Sequence, residues 1–369
     1  MNFLKKIFVV VILLFSLNVN TLAYPSVSAK SAILIEQSTR KILYGKNENA
    51  IMKPASTTKI LTAICAIEEG NLDDVVEVSD NAVRTEGSSM YLGYNDRITL
   101  RNLLYGLMLN SGNDASVAIS EHISKTTENF ASLMNKKAKK IGAANSNFTN
   151  PSGLDSEAHF VTAKDLSYIT AYALDNPVFS EIVKTKNKVV LTEDGTKKYL
   201  TNHNKMLNMY EGCIGVKTGF TKASGRTLVT AAERNGVKLI AVTLSAPNDW
   251  QDHKSMLDYG FQLVSVKNIL KREIAGKSKV ENGVEEFVEV ICDNEYNDIS
   301  FDKNDKYNVK YDIKNAKSPV VKGEILGKAI VYKNNKVVYK CNLRAVKDVE
   351  KIVKKYSLFD YFKRLFLYD

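Results

Sequence analysis

Strand-like runs lie at both ends of the first 267 residues of this chain, and helical runs fill the stretch between them. That order calls for a mostly antiparallel sheet with the middle helices packed on it, an α+β layout. Residues 32–44 (AILIEQSTRKILY) set two apolar runs around a polar turn at Gln37 to Arg40, which predicts a β-hairpin. Residues 56–69 (STTKILTAICAIEE) place Ile60, Ala63, Ile64 and Ile67 on one helical face, with Ser56 expected as the N-cap. Further helices are expected over 99–123, with a Thr99 cap and a break at Asn110-Ser111-Gly112-Asn113, over 128–141 and over 163–175. The basic run of Lys136, Lys137, Lys139 and Lys140 reads as a solvated helix face. Residues 150–155 (NPSGLD) read as a loop. Residues 226–232 and 237–244 read as buried strands joined at Asn235-Gly236, and 249–267 as a last helix.

The chain has 369 residues, 44% hydrophobic and 25% charged, which is globular composition and excludes wholesale disorder or a long coiled coil. That length suggests two or three domains. Residues 271–285 are polar and read as a linker. Residues 286–345 alternate in strand fashion, with a turn at Asn334-Asn335, and read as a small β domain. Residues 24–270 are left for the main domain. The tail, 346–369, repeats Val349, Ile352, Val353, Tyr356, Phe359, Phe362 and Phe366 at roughly helical spacing among lysines. An amphipathic helix of that kind suits a membrane interface. A terminal helix docked on the protein is the alternative.

The N-terminus carries Lys5 and Lys6, an apolar run from Ile7 to Leu17, and a small-residue cleavage site at Thr21-Leu22-Ala23. This reads as a secretory signal peptide over residues 1–23, so the protein is expected to be exported, to the extracytoplasmic face of the cell membrane or the cell wall. Cleavage lowers the net charge from +10 to +8. That balance suits an anionic partner such as a wall polymer or lipid headgroups, and export disfavours nucleic acid. The four cysteines, Cys65, Cys213, Cys292 and Cys341, contain no CxxC, and free buried thiols are expected, although Cys292 and Cys341 share one region. His122, His159, His203 and His253 form no ligand cluster. No metal and no cofactor is expected.

Three short motifs remain: Ser56-Thr57-Thr58-Lys59 (SxxK), Ser111-Gly112-Asn113 (SxN) and Lys217-Thr218-Gly219 (KTG). Singly each is weak, and SxxK recurs at Ser38–Lys41 and Ser300–Lys303. Context separates Ser56, which opens an apolar helix one turn from Lys59. A serine hydroxyl is a poor nucleophile until a base takes its proton, and a neutral lysine within reach can do so. The SxN lies in a break between helices, where Ser111 can relay a proton and Asn113 can hold Lys59 and a substrate amide. The KTG is placed where a strand begins. Lys217 offers fixed charge and Thr218 a hydroxyl to a substrate carboxylate, and a second lysine favours neutrality of the first.

The order SxxK, SxN, KTG resembles the penicillin-interacting serine enzymes, and most closely the low-molecular-mass D-alanyl-D-alanine carboxypeptidases. AILIEQSTRKILYGKN, PASTTKILTA, EGSSMYLGYNDRITLRNLLYGLMLNSGNDASVAISEH, NPSGLD and GVKTGFTKASGRTLVTAAERNG all look like that family. The resemblance implies a penicillin-binding/β-lactamase-like catalytic domain, then a small β domain and an amphipathic anchor. It implies that Ser56 is acylated by the penultimate D-alanine of peptidoglycan stem peptides, with β-lactams as covalent inhibitors. Lys59 would be the general base, and Ser111 and Asn113 would assist proton transfer and positioning. Lys217, Thr218 and Gly219 would engage the terminal carboxylate. The backbone N–H groups of Ser56 and Phe220 would form the oxyanion hole, with Phe220 standing where relatives often have histidine. A class A-type β-lactamase shares the three motifs, but no ExxLN lies between SxN and KTG. A catalytically silent wall-binding protein and cleavage of cross-links stay open as alternatives.

Overall fold

The computed structural model describes residues 24–353, which fall into two compact units meeting at Leu263/Val264. In the first unit the principal elements are β1 (Ser31–Glu36), β2 (Ile42–Lys46), α1 (Lys59–Glu69), α2 (Leu100–Leu109), α3 (Asn113–Ser124), α4 (Thr127–Ile141) and α5 (Ala163–Leu174). After them come β3 (Cys213–Thr221), β4 (Gly225–Arg234), β5 (Val237–Leu244) and α6 (Asp249–Leu263). The five strands form one antiparallel sheet in the order β2-β1-β5-β4-β3. The expected hairpin, mid-chain helices and paired strands are therefore present. Asn235 and Gly236 take φ of 50° and 78°, the left-handed pair that a two-residue hairpin turn requires.

The strands read as continuous apolar runs because both faces of the sheet are covered. Ile33, Ile35, Ile240 and Val242 join the core formed with α1 to α5, whereas Leu34 and Leu239 meet α6. Gly260 allows α6 to lie that close: a Cβ there would come within 2.7 Å of both leucines. The lysine run on α4 is not wholly solvated. Lys137 folds onto α1, where it pairs with Glu68 and Glu69.

Three expectations shift. The helix expected over 249–267 stops at Leu263, and Ser265–Leu270 is a strand (β6) of the second unit, not part of the main domain. Most of the expected linker is a strand, β7 (Ile274–Glu281), in which buried Ser278 and Val280 alternate with exposed Lys277, Lys279 and Glu281. The tail expected to be helical from 346 begins instead as extended chain: Val349 is buried and bridges to Val320, and Lys351 bridges to Gly283. The rest of that expected helix, 354–369, lies outside the described residues, as does the expected signal peptide at 1–23.

The second unit continues with β8 (Phe287–Cys292), β9 (Tyr296–Ser300), β10 (Tyr307–Ile313), β11 (Ala316–Lys317), β12 (Ile325–Lys333) and β13 (Lys336–Ala345). Six strands form a sheet ordered β10-β12-β13-β8-β7-β11, and β6 pairs with β9. Val288, Val290, Val331 and Leu343 build its core. Cys292 and Cys341 are buried here as free thiols.

Candidate active site

The three sequence motifs converge on one polar cleft. Residues Ala55–Thr58 form a single tight turn just before α1, so Ser56 is not the N-cap of that helix and its hydroxyl is left for other work. Ala55 takes a left-handed φ of 49° to enter the turn. Strain of this kind costs on the order of 1–3 kcal/mol and persists only where surrounding contacts impose it. The turn is held from two sides. Thr57 Oγ1 and Thr227 Oγ1 both donate to Pro54 O, at 2.6 and 3.0 Å, and Gly153 packs so closely that a Cβ there would lie 1.8 Å from Ala55 O.

Lys59 is fully buried one turn beyond. Its Nζ lies 2.6 Å from Asn113 Oδ1, 2.6 Å from Ser152 O and 3.1 Å from Ser56 Oγ. Burial, followed by the charge of Lys217, holds its pKa well below the usual lysine range, with Asp114 opposing weakly. The two carbonyl oxygens can only accept. A neutral amine therefore donates its two N–H groups to them and turns its lone pair to Ser56, the one neighbour with a proton to give. The geometry suits a general base beside its nucleophile.

The SxN motif joins α2 to α3. Ser111 takes φ of 60° and is nearly buried, and Asn113 opens α3 with its Nδ2 donating to Glu86 O. The next residue, Asp114, accepts from Ser89 Oγ and from the N–H groups of Met90 and Leu92. This staples residues 88–92 to the start of α3 and brings Ser88 to the cleft wall. The 150–155 loop contributes Ser152 O through Asn150, whose Oδ1 accepts from Ser152 N and Gly153 N. His159 supports the same loop. The Thr149 N–H donates to Nδ1, so Nε2 carries the proton and donates to Thr58 Oγ1, and burial lowers the ring's pKa to about 4. His159 is thus a satisfied neutral histidine.

The KTG motif lies inside β3, not at its start. β3 is the edge strand of the sheet, so its outer side is open to an extended peptide. Lys217 is buried, donates to Thr218 O at 2.9 Å, and has its pKa lowered by burial to about 7. Gly219 faces the nucleophile turn, where a Cβ would stand 2.9 Å from Ser56 N and 2.4 Å from Thr227 Oγ1. Phe220 is 67% exposed and lines the cleft.

The cleft encloses about 370 Å3 and is lined by Ser56, Ser111, Thr218, Phe220, Arg226 and Trp250, among others. Sequence reading missed Arg226, Trp250 and His203, which also lines the cleft with its pKa lowered by burial and by Lys217. Arg226 reaches the site because it pairs with Phe220 across the sheet. Its Nε and Nη2 donate to Asp249 Oδ1, at 3.0 and 2.8 Å, and it stacks over Trp250. Adjacency to a motif across a strand pair is invisible in one dimension. Among the described residues no group of three or more His, Cys, Asp or Glu is placed to hold a metal ion.

Comparison with known proteins agrees with this geometry. The family model described as D-alanyl-D-alanine carboxypeptidase matches residues 18–248, and that of the penicillin-binding protein 5 C-terminal domain matches 265–351. The chain belongs to the D-alanyl-D-alanine carboxypeptidase family. It is 33% identical to D-alanyl-D-alanine carboxypeptidase DacF of Bacillus subtilis, over 88% of this chain and 86% of that one. It is 29% identical to DacA of Haemophilus influenzae, over 88% and 86%. Among solved structures it resembles penicillin-binding protein 5 from Haemophilus influenzae, with a TM-score of 0.65 and 28% identity over 89% of this chain and 99% of that one. It also resembles a Streptomyces DD-transpeptidase, with a TM-score of 0.62 and 32% identity over 65% and 100%.

Two outcomes are expected. Gly219→Ala, whose Cβ would crowd Ser56 N, should lower the rate of penicillin acylation by about 100-fold or more, the size of effect expected when a transition-state donor is displaced, with circular dichroism unchanged. Unaltered acylation would mean that this contact does not shape the site. The pH profile of kcat/KM should be bell-shaped. It falls on the acid side as Lys59 gains a proton and stops acting as a base, and on the alkaline side as Lys217 loses its charge above about 7. The two limbs belong to the lysine pair. An absent alkaline fall would exclude Lys217 as the charged anchor.

Proposed function

We propose that this protein is a serine-type D-alanyl-D-alanine carboxypeptidase that trims the terminal D-alanine from peptidoglycan stem peptides, with Ser56 as nucleophile. The observation that carries the reading is the triple contact of buried Lys59 with Ser56 Oγ, Asn113 Oδ1 and Ser152 O. Family membership and the same function among relatives support it.

The reaction follows from the positions of these groups. Lys59 takes the Ser56 proton as Oγ attacks the carbonyl carbon of the penultimate D-alanine. Negative charge develops on the carbonyl oxygen, beside the backbone N–H groups of Ser56 and Phe220. Lys59 passes that proton through Ser111 to the leaving nitrogen, the C–N bond breaks and D-alanine departs. Water then hydrolyses the acyl-enzyme, and Ser56 regains its proton. Asn113 positions Lys59 and the substrate amide. Lys217, Thr218 and Gly219 set the carboxylate end of the site, and Arg226 adds a second, more accessible cation there. β-Lactams enter the same cycle as acylating inhibitors. The β-lactamase and silent-protein alternatives lose ground to the family match over both units.

The reading extends to location. Export through residues 1–23 and membrane association through residues 354–369 fit an enzyme acting on the cell wall. Among the described residues no helix is long and apolar enough to cross a membrane.

Brief exposure to benzylpenicillin should add one drug mass to the intact protein, and Ser56→Ala should abolish the adduct. Rapid drug loss without an adduct would indicate a β-lactamase, and intact drug without an adduct would sink the enzymatic reading. For the tail, the full chain should float with anionic lipid vesicles and a chain ending at Val353 should not. Equal flotation of both would place the membrane contact elsewhere.

A further inference from the structure

Outside the cleft, exposed apolar side chains gather on one hairpin of the first unit. Asn187–Leu191 pairs antiparallel with Lys197–Thr201, with Val189 opposite Tyr199 and Leu191 opposite Lys197. One face of this hairpin looks inward, since Val190 and Leu200 are buried in the core. Alternation sends Val189, Leu191 and Tyr199 to the other face, where they are 49%, 48% and 72% exposed. Tyr91, 80% exposed, stands on the neighbouring segment. Lys198 joins the two: its Nζ donates to Tyr91 O at 2.6 Å and pairs with Asp96 at 2.8 Å. A two-stranded hairpin is marginal by itself in water, but this one is sewn down. Glu193 N donates to Arg97 O, Asn102 Nδ2 to Leu191 O and Thr201 N to Asn110 Oδ1. Asn110 directly precedes Ser111, so a preformed apolar face begins beside the active site.

Contiguous exposed apolar side chains mark binding surfaces. Size, chemistry and position select the occupant here. A stable protein interface takes about 20–30 residues on each side, and this face has far fewer. A pyranose ring carries a face of C–H groups, which rests well on the electron-rich face of a tyrosine. Its rim of hydroxyl and acetamido groups needs polar neighbours, and Asn187, Lys197 and Thr201 share the outer face with Tyr199. His203 lines the cleft and is four residues from Tyr199, at most about 14 Å of chain. A five-residue stem peptide spans up to about 17 Å, so a stem held in the cleft leaves its own sugar strand within reach of this face.

We propose that the outer face formed by Val189, Leu191 and Tyr199, with Tyr91 beside it, binds the amino-sugar strand of peptidoglycan and holds the polymer while one of its stem peptides occupies the cleft. The inference rests on the function proposed above and adds a second recognition element to it. Stems attached to a strand are then better substrates than free stem peptides, because binding of the strand raises the local concentration of its peptides at Ser56. The attraction comes from stacking on the rings and not from charge.

The test titrates the full chain with peptidoglycan glycan strands stripped of their peptides by an amidase, and reads binding by calorimetry. The unaltered chain should bind. Tyr199→Ala should weaken binding by about tenfold or more, and Tyr199→Phe, which keeps the ring, by less than about twofold. In both variants penicillin acylation and D-alanine release from free pentapeptide should stay within about twofold, while Tyr199→Ala lowers release from intact peptidoglycan. Binding should persist in about 1 M salt, which screens charges beyond about 3 Å. No binding by the unaltered chain would overturn the inference, as would binding that neither Tyr199→Ala nor Tyr91→Ala weakens. Binding lost in high salt would reassign it to charge and overturn it too. So would a dimer, seen by light scattering, that Tyr199→Ala dissolves, because the face would then be covered by a second copy. Absence of both D-alanine release and acylation in the unaltered chain would instead overturn the function proposed above.

Discussion

The site depends on one buried amine. Lys59 has no solvent contact, and removing an ammonium from water costs several kcal/mol even after local relaxation. The protein offsets that cost in two ways. It surrounds the nitrogen with two carbonyl acceptors and the Ser56 hydroxyl, and it keeps the group's pKa low enough for the neutral form to be accessible. Each of these oxygens comes from a different part of the chain: the turn before α1, the start of α3 and the 150–155 loop. The lysine therefore fixes the relative positions of those segments as much as they fix its chemistry. Lys217 completes the arrangement, since its charge adds to burial in disfavouring protonation of Lys59.

The sheet supplies the other half of the constraint. β3 is an edge strand, and exposed edges invite unwanted pairing. Here the edge passes beside the Ser56 turn. Gly219 is the point of closest approach, where absence of a Cβ lets the strand meet Ser56 N. The strained φ angles at Ala55 and Ser111 lie on either side of the same cleft.

Much of this was legible in the sequence. The hairpin at 32–44, the helices of the middle and the Asn235-Gly236 turn follow from periodicity and turn chemistry, and the three motifs carry the residues of the site. Other features were not legible. The stretch 271–285 read as a linker because its lysines and glycine mask a short buried stripe, and only pairing with β8 makes Ile274–Glu281 a strand. Residues 346–353 fit a helical period, but bridging to Val320 and Gly283 holds them extended. Ser56 read as an N-cap, yet the turn that contains it precedes the helix. Tertiary contacts outweighed local preference in each case.

By itself, the sequence determined the layered α+β layout and the presence of a second β-rich segment, and it singled out Ser56, Lys59, Ser111, Asn113, Lys217, Thr218, Gly219 and Phe220 as candidate site residues. These are properties of spacing and residue type, which one dimension records. Only the tertiary structure decided that Ser152 supplies a carbonyl to Lys59, that Asp114 staples the 88–92 segment, and that Arg226 reaches the cleft beside Trp250. Those depend on backbone atoms and on strand neighbours far apart along the chain. No residue type announces them, because a backbone carbonyl is the same at every position and a cross-strand neighbour is set by register.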